Sequence, residues 1–321
     1  MLYLSLALGL VLLVLGGEAL VRGAVALAAR LGVSPLLIGL TVVGFGTSTP
    51  ELVTSLQAAF SGAPGIAVGN VVGSNTANIL LILGAAALIA PLAVSKAAFR
   101  RDGGALVLAT LAAIGVMLTG ALSRPAGLVL LGGLAAYLVL AYRSERAAPN
   151  GAPDAEGAGA GPDAESSPTG LPLALLYAGG GIAVTILGAR LLVGGATELA
   201  TRFGISDAII GLTLVAVGTS LPELVTAVVA SLRRQGDVAF GNVVGSNIYN
   251  VLGILGATAL VRPIPVPPEI AGFDIWVMAA ATVALVGVAV TGWRVARAEG
   301  AALLAAYALY VGWLAWGAAT I

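Results

Sequence analysis

Apolar residues dominate the chain in long runs broken by short polar or charged stretches, as at Leu2 to Gly17, 103–122 and 279–292. Runs of this length match the ~20 residues a helix needs to cross about 30 Å of hydrocarbon. Counted that way, the sequence predicts about ten spans, at 3–29, 33–60, 65–90, 103–122, 125–142, 172–200, 205–232, 238–261, 272–292 and 300–320. The first run lacks the basic leading stretch of a signal peptide and continues through Glu18 and Arg22 to Arg30, which predicts a retained span. The expected fold is an all-α polytopic membrane protein. The one long gap, 144–170, is rich in Ala, Gly and Pro, repeats PDAE at 153–156 and 162–165, and cannot bury a core. It is expected to be a disordered, solvated linker, and it lacks the alternating Asp pattern of a calcium loop.

The basic residues set an orientation. With the N-terminus outside, the cytoplasmic side receives Arg22, Arg30, Lys96, Arg100, Arg101, Arg143, Arg146, Arg233, Arg234, Arg294 and Arg297, against Arg124, Arg202 and Arg262 on the other side. Arg190 stays within a helix. The linker then lies in the cytoplasm between two sets of five spans. An odd number per set forces the second set to enter the membrane the opposite way up, which predicts an inverted repeat.

The repeat is visible in the sequence. LGVSPLLIGLTVVGFGTSTPELVTSL at 31–56 matches FGISDAIIGLTLVAVGTSLPELVTAV at 203–228, and GNVVGSNTANILLILG at 69–84 matches GNVVGSNIYNVLGILG at 241–256. The offset is 172 throughout, relating Glu51 to Glu223, Ser74 to Ser246 and Asn78 to Asn250. This divides the chain into a first five-helix repeat at 1–143, carrying the motif 44–84, the linker at 144–170, and a second repeat at 171–321, carrying the motif 216–256. Helices broken at the midplane are expected in both. Inverted repeats of this kind build secondary transporters, with the substrate site near the midplane between them.

Composition narrows the chemistry. Of 321 residues, 59% are hydrophobic and 9% charged, and the mean hydropathy is +1.04; soluble domains carry about a quarter charged residues. Lys+Arg and Asp+Glu are 15 each, which removes the basic excess that nucleic-acid binding requires. With no Cys and no His there is no thiolate nucleophile, imidazole relay or His-ligated metal, so any chemistry uses oxygen groups.

Glu51 is the only charged residue from Leu31 to Ser95, and Glu223 is alone between Asp207 and Arg233. A charge at mid-span costs about 2.5–3.5 kcal/mol even on the lenient insertion scale, and no Lys or Arg in either span offsets it. Two such carboxylates point to a cation, or to protons, supplied from solution. On a helix, Thr47 and Ser48 share a face with Glu51, as Thr219 and Ser220 do with Glu223; Ser74 and Asn78, and Ser246 and Asn250, are i, i+4 pairs. Pro50 and Pro222 deprive the Gly46 and Gly218 carbonyls of their helical partners, predicting a break at each Glu. Carboxylate, hydroxyl, amide and free carbonyl oxygens are ligands for a hard cation, Ca²⁺ or Na⁺ rather than Zn²⁺ or Cu²⁺.

At these residues the sequence resembles the sodium/calcium exchanger family of the cation/Ca²⁺ antiporter superfamily. GTSTPEL at 46–52 and GTSLPEL at 218–224, each followed by GNVVGSN, look like its two α-repeats, and the five-plus-five layout also matches. The resemblance implies exchange of Na⁺ for Ca²⁺ by alternating access, with Glu51 and Glu223 as shared ligands helped by Thr47, Ser48, Thr219 and Ser220. Ser74, Asn78, Ser246 and Asn250 would complete flanking sodium sites, and the Gly44 and Ala216 carbonyls would join them. One departure stands out: well-known members carry an Asp where this chain has Asn250, which counts against potassium co-transport. The family also suggests the first and sixth spans as a sliding gate, rich in glycine at Gly16, Gly17, Gly23, Gly194 and Gly195.

Other polar residues have blander expectations. Glu18 and Glu198 are expected to pair with Arg22 and Arg202, Asp102, Asp237 and Glu269 to be solvated in loops, and Trp276, Trp293, Trp313 and Trp316 to be interfacial or lipid-facing anchors. The expected setting is a bacterial or archaeal inner membrane. No enzymatic activity, cofactor, nucleic acid or obligatory protein partner is implied. A proton/Ca²⁺ antiporter using the same glutamates is the alternative; a carboxylate-pair hydrolase would form product without an ion gradient, and a channel would need no coupling.

Overall fold

The computed structural model describes residues 2–60, 62, 64–147, 170–202 and 216–319. In chain order the helices are α1 (Leu2–Leu31), α2 (Leu36–Thr47), α3 (Thr49–Phe60), α4 (Pro64–Ile89), α5 (Lys96–Leu118), α6 (Arg124–Ala147), α7 (Leu171–Arg202), α8 (Leu221–Leu232), α9 (Gly236–Val261), α10 (Ile270–Val290) and α11 (Arg297–Ala319). In hydrocarbon every backbone N–H and C=O must be satisfied within the segment, which is why apolar runs become helices. Among the described residues, eight helices are long and apolar enough to cross a membrane, and α2 with α3, bent by 41°, makes a ninth span. The expected span 205–232 is described only from Ala216, as the helical turn Ala216–Thr219 followed by α8; the expected linker is helical to Ala147, and 148–169 lie outside the described residues.

One boundary is corrected. The span expected at 103–122 begins at Lys96, because the Ser95 hydroxyl accepts from the Ala98 N–H and caps the helix. Asp102, expected in a solvated loop, is therefore inside α5 and buried, held by Arg101 at 2.6 Å and by the Tyr137 hydroxyl at 3.2 Å. Asp237 lies in the first turn of α9, half-buried, and Glu269 is exposed. Glu18 pairs with Arg22 as expected and also with Arg233. Trp276, Trp313 and Trp316 are exposed on the apolar exterior, whereas Trp293 is partly buried with the Lys96 ammonium 5.3 Å from its ring.

Among the described residues, four two-residue strands report the topology: β1 (Leu92–Ala93), β2 (Ala121–Leu122), β3 (Ile264–Pro265) and β4 (Arg294–Val295). β1 pairs with β4 through Leu92↔Val295, and β2 with β3 through Leu122↔Ile264, both antiparallel. β1 and β3 occupy equivalent places in the two halves, each following a GNVVGSN helix, yet they belong to different pairs. The pairs are separated by α5, whose 23 residues span about 34 Å. Equivalent loops therefore sit at opposite ends of the molecule, which is the geometry of inverted five-helix repeats.

The two GNVVGSN helices form the centre. In α4 and α9, 72% and 83% of the apolar window is buried, against 11% in α11. Small residues let backbones approach there: a Cβ on Gly241 would lie 2.6 Å from the Leu36 carbonyl, and one on Gly245 would collide with the Leu40 backbone, so α2 lies directly on α9. The same device joins α1 to α7, where Gly181 and Gly188 face the Leu20 and Leu13 backbones. Gly241→Ala is therefore expected to destabilise the protein by about 1–3 kcal/mol through overpacking, whereas Gly115→Ala, which meets nothing within 4 Å, leaves stability unchanged or raises it. Thermal unfolding in detergent distinguishes them, and equal midpoints would refute the close-approach account.

Candidate functional site

The bent span opens the site. Its break falls at Ser48 (φ −80°, ψ 9°) and the equivalent break at Ser220 (φ −87°, ψ 6°), rather than at the glutamates as the proline positions predicted. Pro50 and Pro222 instead sit in the first turn of the following helix, where a missing N–H costs nothing and the fixed φ suits the start. Glu51 and Glu223 fall in that same first turn, at the positive end of the helix dipole, and both are 1% exposed.

The hydroxyls cross between repeats. Ser48 Oγ donates to Glu223 Oε1 at 2.8 Å, and Ser220 Oγ donates to Glu51 Oε1 at 3.1 Å. Each serine was expected only to share a helix face with the glutamate of its own span; its side chain bonds instead to the glutamate of the other repeat. Thr47 Oγ1 donates to the Val43 carbonyl at 3.0 Å and lies 3.3 Å from Asn242 Oδ1, while Thr219 Oγ1 donates to Asn70 Oδ1 at 3.3 Å.

Asn70 and Asn242 are residues that the sequence reading missed. Asn70 Nδ2 donates to the Glu51 carbonyl at 3.0 Å and to Ser55 Oγ at 2.9 Å, and Asn242 Nδ2 donates to the Glu223 carbonyl at 3.1 Å. Each amide thus fixes the backbone of its own repeat's glutamate and the threonine of the other. The signal was present, since both are the first Asn of GNVVGSN and differ by 172, but nothing marked them as partners of a backbone carbonyl.

Of the remaining expected residues, Ser74 and Asn78 lie on α4 and Ser246 and Asn250 on α9. Ser74, Asn78, Ser246 and Asn250 are all buried. Ser246 Oγ donates to the Gly44 carbonyl at 3.2 Å, and Asn78 Nδ2 donates to Asn247 Oδ1 at 3.0 Å. Ala216 opens the turn before Ser220. Asn78 starts one π-helical segment (Asn78–Leu83) and Asn250 is the second residue of its counterpart (Tyr249–Leu255), an irregularity frequent at functional sites and not legible in the sequence.

Several buried polar atoms are left without a partner: Glu51 Oε2, Glu223 Oε2, Ser74 Oγ, Asn75 Oδ1, Asn78 Oδ1 and both Oδ1 and Nδ2 of Asn250. A hydrogen bond to a charged group contributes about 1.5–3 kcal/mol, comparable with the ~2.5–3.5 kcal/mol cost of one intramembrane charge. One serine per glutamate therefore offsets part of the cost and leaves the second carboxylate oxygen unmatched. Among the described residues no cluster of three or more His, Cys, Asp or Glu exists, so the polar centre is two carboxylates amid neutral oxygens.

Inverted repeats enclosing a buried, oxygen-lined centre define the class: a polytopic membrane transporter. The family model described as sodium/calcium exchanger protein matches residues 1–143 and 173–316. The chain belongs to this family, a family of cation/Ca²⁺ exchangers. The sodium/calcium exchanger MaX1 of Methanosarcina acetivorans is 35% identical over 343 residues, covering 96% of this chain and 97% of that protein. The inner membrane protein YrbG of Escherichia coli is 39% identical over 267 residues, 82% of this chain and 81% of its own length. The solved structure of the sodium-calcium exchanger NCX_Mj soaked with Na⁺ and Sr²⁺ superposes with a TM-score of 0.82 at 32% identity, over 97% of this chain and 99% of that one.

The crossed pairs make a direct prediction. In double-mutant cycles on unfolding free energy, Ser48→Ala couples to Glu223→Gln and Ser220→Ala to Glu51→Gln, each by about 1–2 kcal/mol. Coupling within a span, Ser48 with Glu51, is expected to stay below about 0.5 kcal/mol. The reverse ranking would contradict the crossing.

Proposed function

We propose that the protein exchanges Na⁺ for Ca²⁺ across the membrane by alternating access, with Glu51 and Glu223 as ligands shared by both ions. The observation that carries this reading is the pair of buried carboxylates, one from each inverted repeat, each bonded to the other repeat's serine and each with Oε2 unpartnered. Two carboxylates balance one divalent cation, and the surrounding oxygens are those a hard cation takes. Thr47, Ser48, Thr219 and Ser220 would support the shared position, Ser74, Asn78, Ser246 and Asn250 the flanking Na⁺ positions, with the Gly44 and Ala216 carbonyls beside them. Ca²⁺ and Na⁺ then exclude one another because they draw on the same oxygens, so each crossing carries one kind of ion. An unloaded site keeps two charges in a low dielectric and crosses slowly.

In this reading 1–143 and 171–321 are the two repeats and the segment between them is a cytoplasmic tether, with the N-terminus outside by the distribution of Lys and Arg. The inner membrane is the proposed location, in keeping with the name of the Escherichia coli relative. The transported ions are the proposed ligands; no cofactor, enzymatic step or obligatory protein partner enters the cycle. Asn250, an amide where well-known family members carry an Asp, favours exchange without K⁺. The hydroxyl-rich surroundings favour Na⁺ over H⁺ as the coupled ion.

The test is Ca²⁺ uptake into vesicles reconstituted with the full chain and preloaded with Na⁺, with K⁺, or with a pH gradient alone. Na⁺-loaded vesicles are expected to take up Ca²⁺, and Glu51→Gln and Glu223→Gln each to lose uptake by at least about tenfold, the equivalent of one charge-assisted contact. Uptake driven by the pH gradient and indifferent to Na⁺ would replace this reading with proton/Ca²⁺ antiport on the same glutamates. Wild-type rates in both variants would remove the glutamates from the site.

A further inference from the structure

The contact between α4 and α9 contains two more amides, outside the proposed ligand set. Asn75 and Asn247 are related by the offset of 172 and face each other: Asn75 Nδ2 donates to the Asn247 carbonyl at 3.3 Å, and Asn247 Nδ2 donates to the Asn75 carbonyl at 3.4 Å. Only the nitrogen of an amide can donate to a carbonyl, so these reciprocal bonds fix both orientations and leave each Oδ1 as an acceptor. Asn247 Oδ1 accepts Asn78 Nδ2 at 3.0 Å. The repeat-related bond, Asn250 Nδ2 to Asn75 Oδ1, is open: Asn75 Oδ1 and both polar atoms of Asn250 are buried without partners. A symmetric pair of amides therefore carries one bond made and its mate unmade.

A buried amide left unpartnered is costly. Alternating access moves one repeat against the other around the site, so a contact that one repeat makes in one access state has its repeat-related counterpart available in the other. We propose that Asn75 and Asn247 are positioning residues of the exchange cycle, each accepting the amide of the opposite repeat in one access state only. The Asn78–Asn247 bond seen here is then replaced by an Asn250–Asn75 bond in the other state. A held amide presents its Oδ1 as a fixed acceptor for a cation, because its nitrogen is already engaged; an unheld amide does not. The inference rests on the exchange reading for its use, but the paired bonds are testable without transport.

Two readouts on the full chain in lipid decide it, for Asn247→Ala and Asn75→Ala. Hydrogen–deuterium exchange of α3 and α8 needs no ion transport; the two variants are expected to shift it in opposite directions, each favouring the state its partner stabilises. Shifts in the same direction, or none, overturn the proposal. In oriented vesicles the half-saturating Na⁺ for Ca²⁺ exchange is expected to rise about fivefold at one membrane face in Asn247→Ala and at the other face in Asn75→Ala, as a lost buried hydrogen bond shifts the populations. An equal rise at both faces in either variant overturns it. Asn75→Gln and Asn247→Gln, which keep both the donor nitrogen and the acceptor oxygen and serve where alanine does not fold, are expected to keep the wild-type sidedness, and failure to do so also overturns it. If the wild type exchanges no Ca²⁺ for Na⁺, the exchange reading falls, and hydrogen–deuterium exchange still decides the pair.

Discussion

The structure turns on two carboxylates buried in a lipid-embedded bundle with no basic residue in their spans. Glu51 and Glu223 carry a cost that one serine apiece offsets only in part, and their second oxygens stay unmatched. Everything close to them serves to hold that arrangement. The serine breaks turn a hydroxyl across the interface, the prolines start new helices where a lost N–H is harmless, and Asn70 and Asn242 pin the glutamate carbonyls. The polar centre exists only because the repeats interpenetrate, since neither half supplies both a carboxylate and the hydroxyl that bonds it.

Such interpenetration requires close backbones, and the composition of the motif supplies them. Glycines at 241 and 245 set α2 on α9, while each strand pair ties a loop of one half to a non-equivalent loop of the other, one pair at each end. Lipid provides no hydrophobic drive between helices, so small-residue packing and interhelical hydrogen bonds must do the assembly. The motif GNVVGSN combines the two: its glycines admit a neighbour, and its amides and hydroxyl bond to that neighbour.

Much of this was legible in the chain because its signals are one-dimensional. Hydropathy marks the spans, a fixed offset marks the repeat, and a lone charge in an apolar run marks Glu51 and Glu223. Contacts between repeats were not legible. An offset of 172 says that Ser48 and Ser220 are equivalent, not that each reaches the other's glutamate, and Asn70, Asn242, Asn75 and Asn247 bond largely to backbone carbonyls, which carry no side-chain signature. Asp102 was misread for a related reason: its neighbours Arg100 and Arg101 suggest a loop, but Arg101 folds back on it and Tyr137 of α6 completes a buried pair. The π-helical segments escape sequence reading because they change the winding of a helix without changing its apolar pattern.

The proposed exchange requires that the two glutamates make one cation position that Ca²⁺ and Na⁺ occupy in turn. Equilibrium Ca²⁺ binding to the purified protein, titrated with Na⁺, tests it most directly. One Ca²⁺ is expected to bind per chain and to be displaced completely by Na⁺, with none bound when Glu51→Gln and Glu223→Gln are combined. Ca²⁺ retained by that double variant, or bound together with saturating Na⁺, would contradict it.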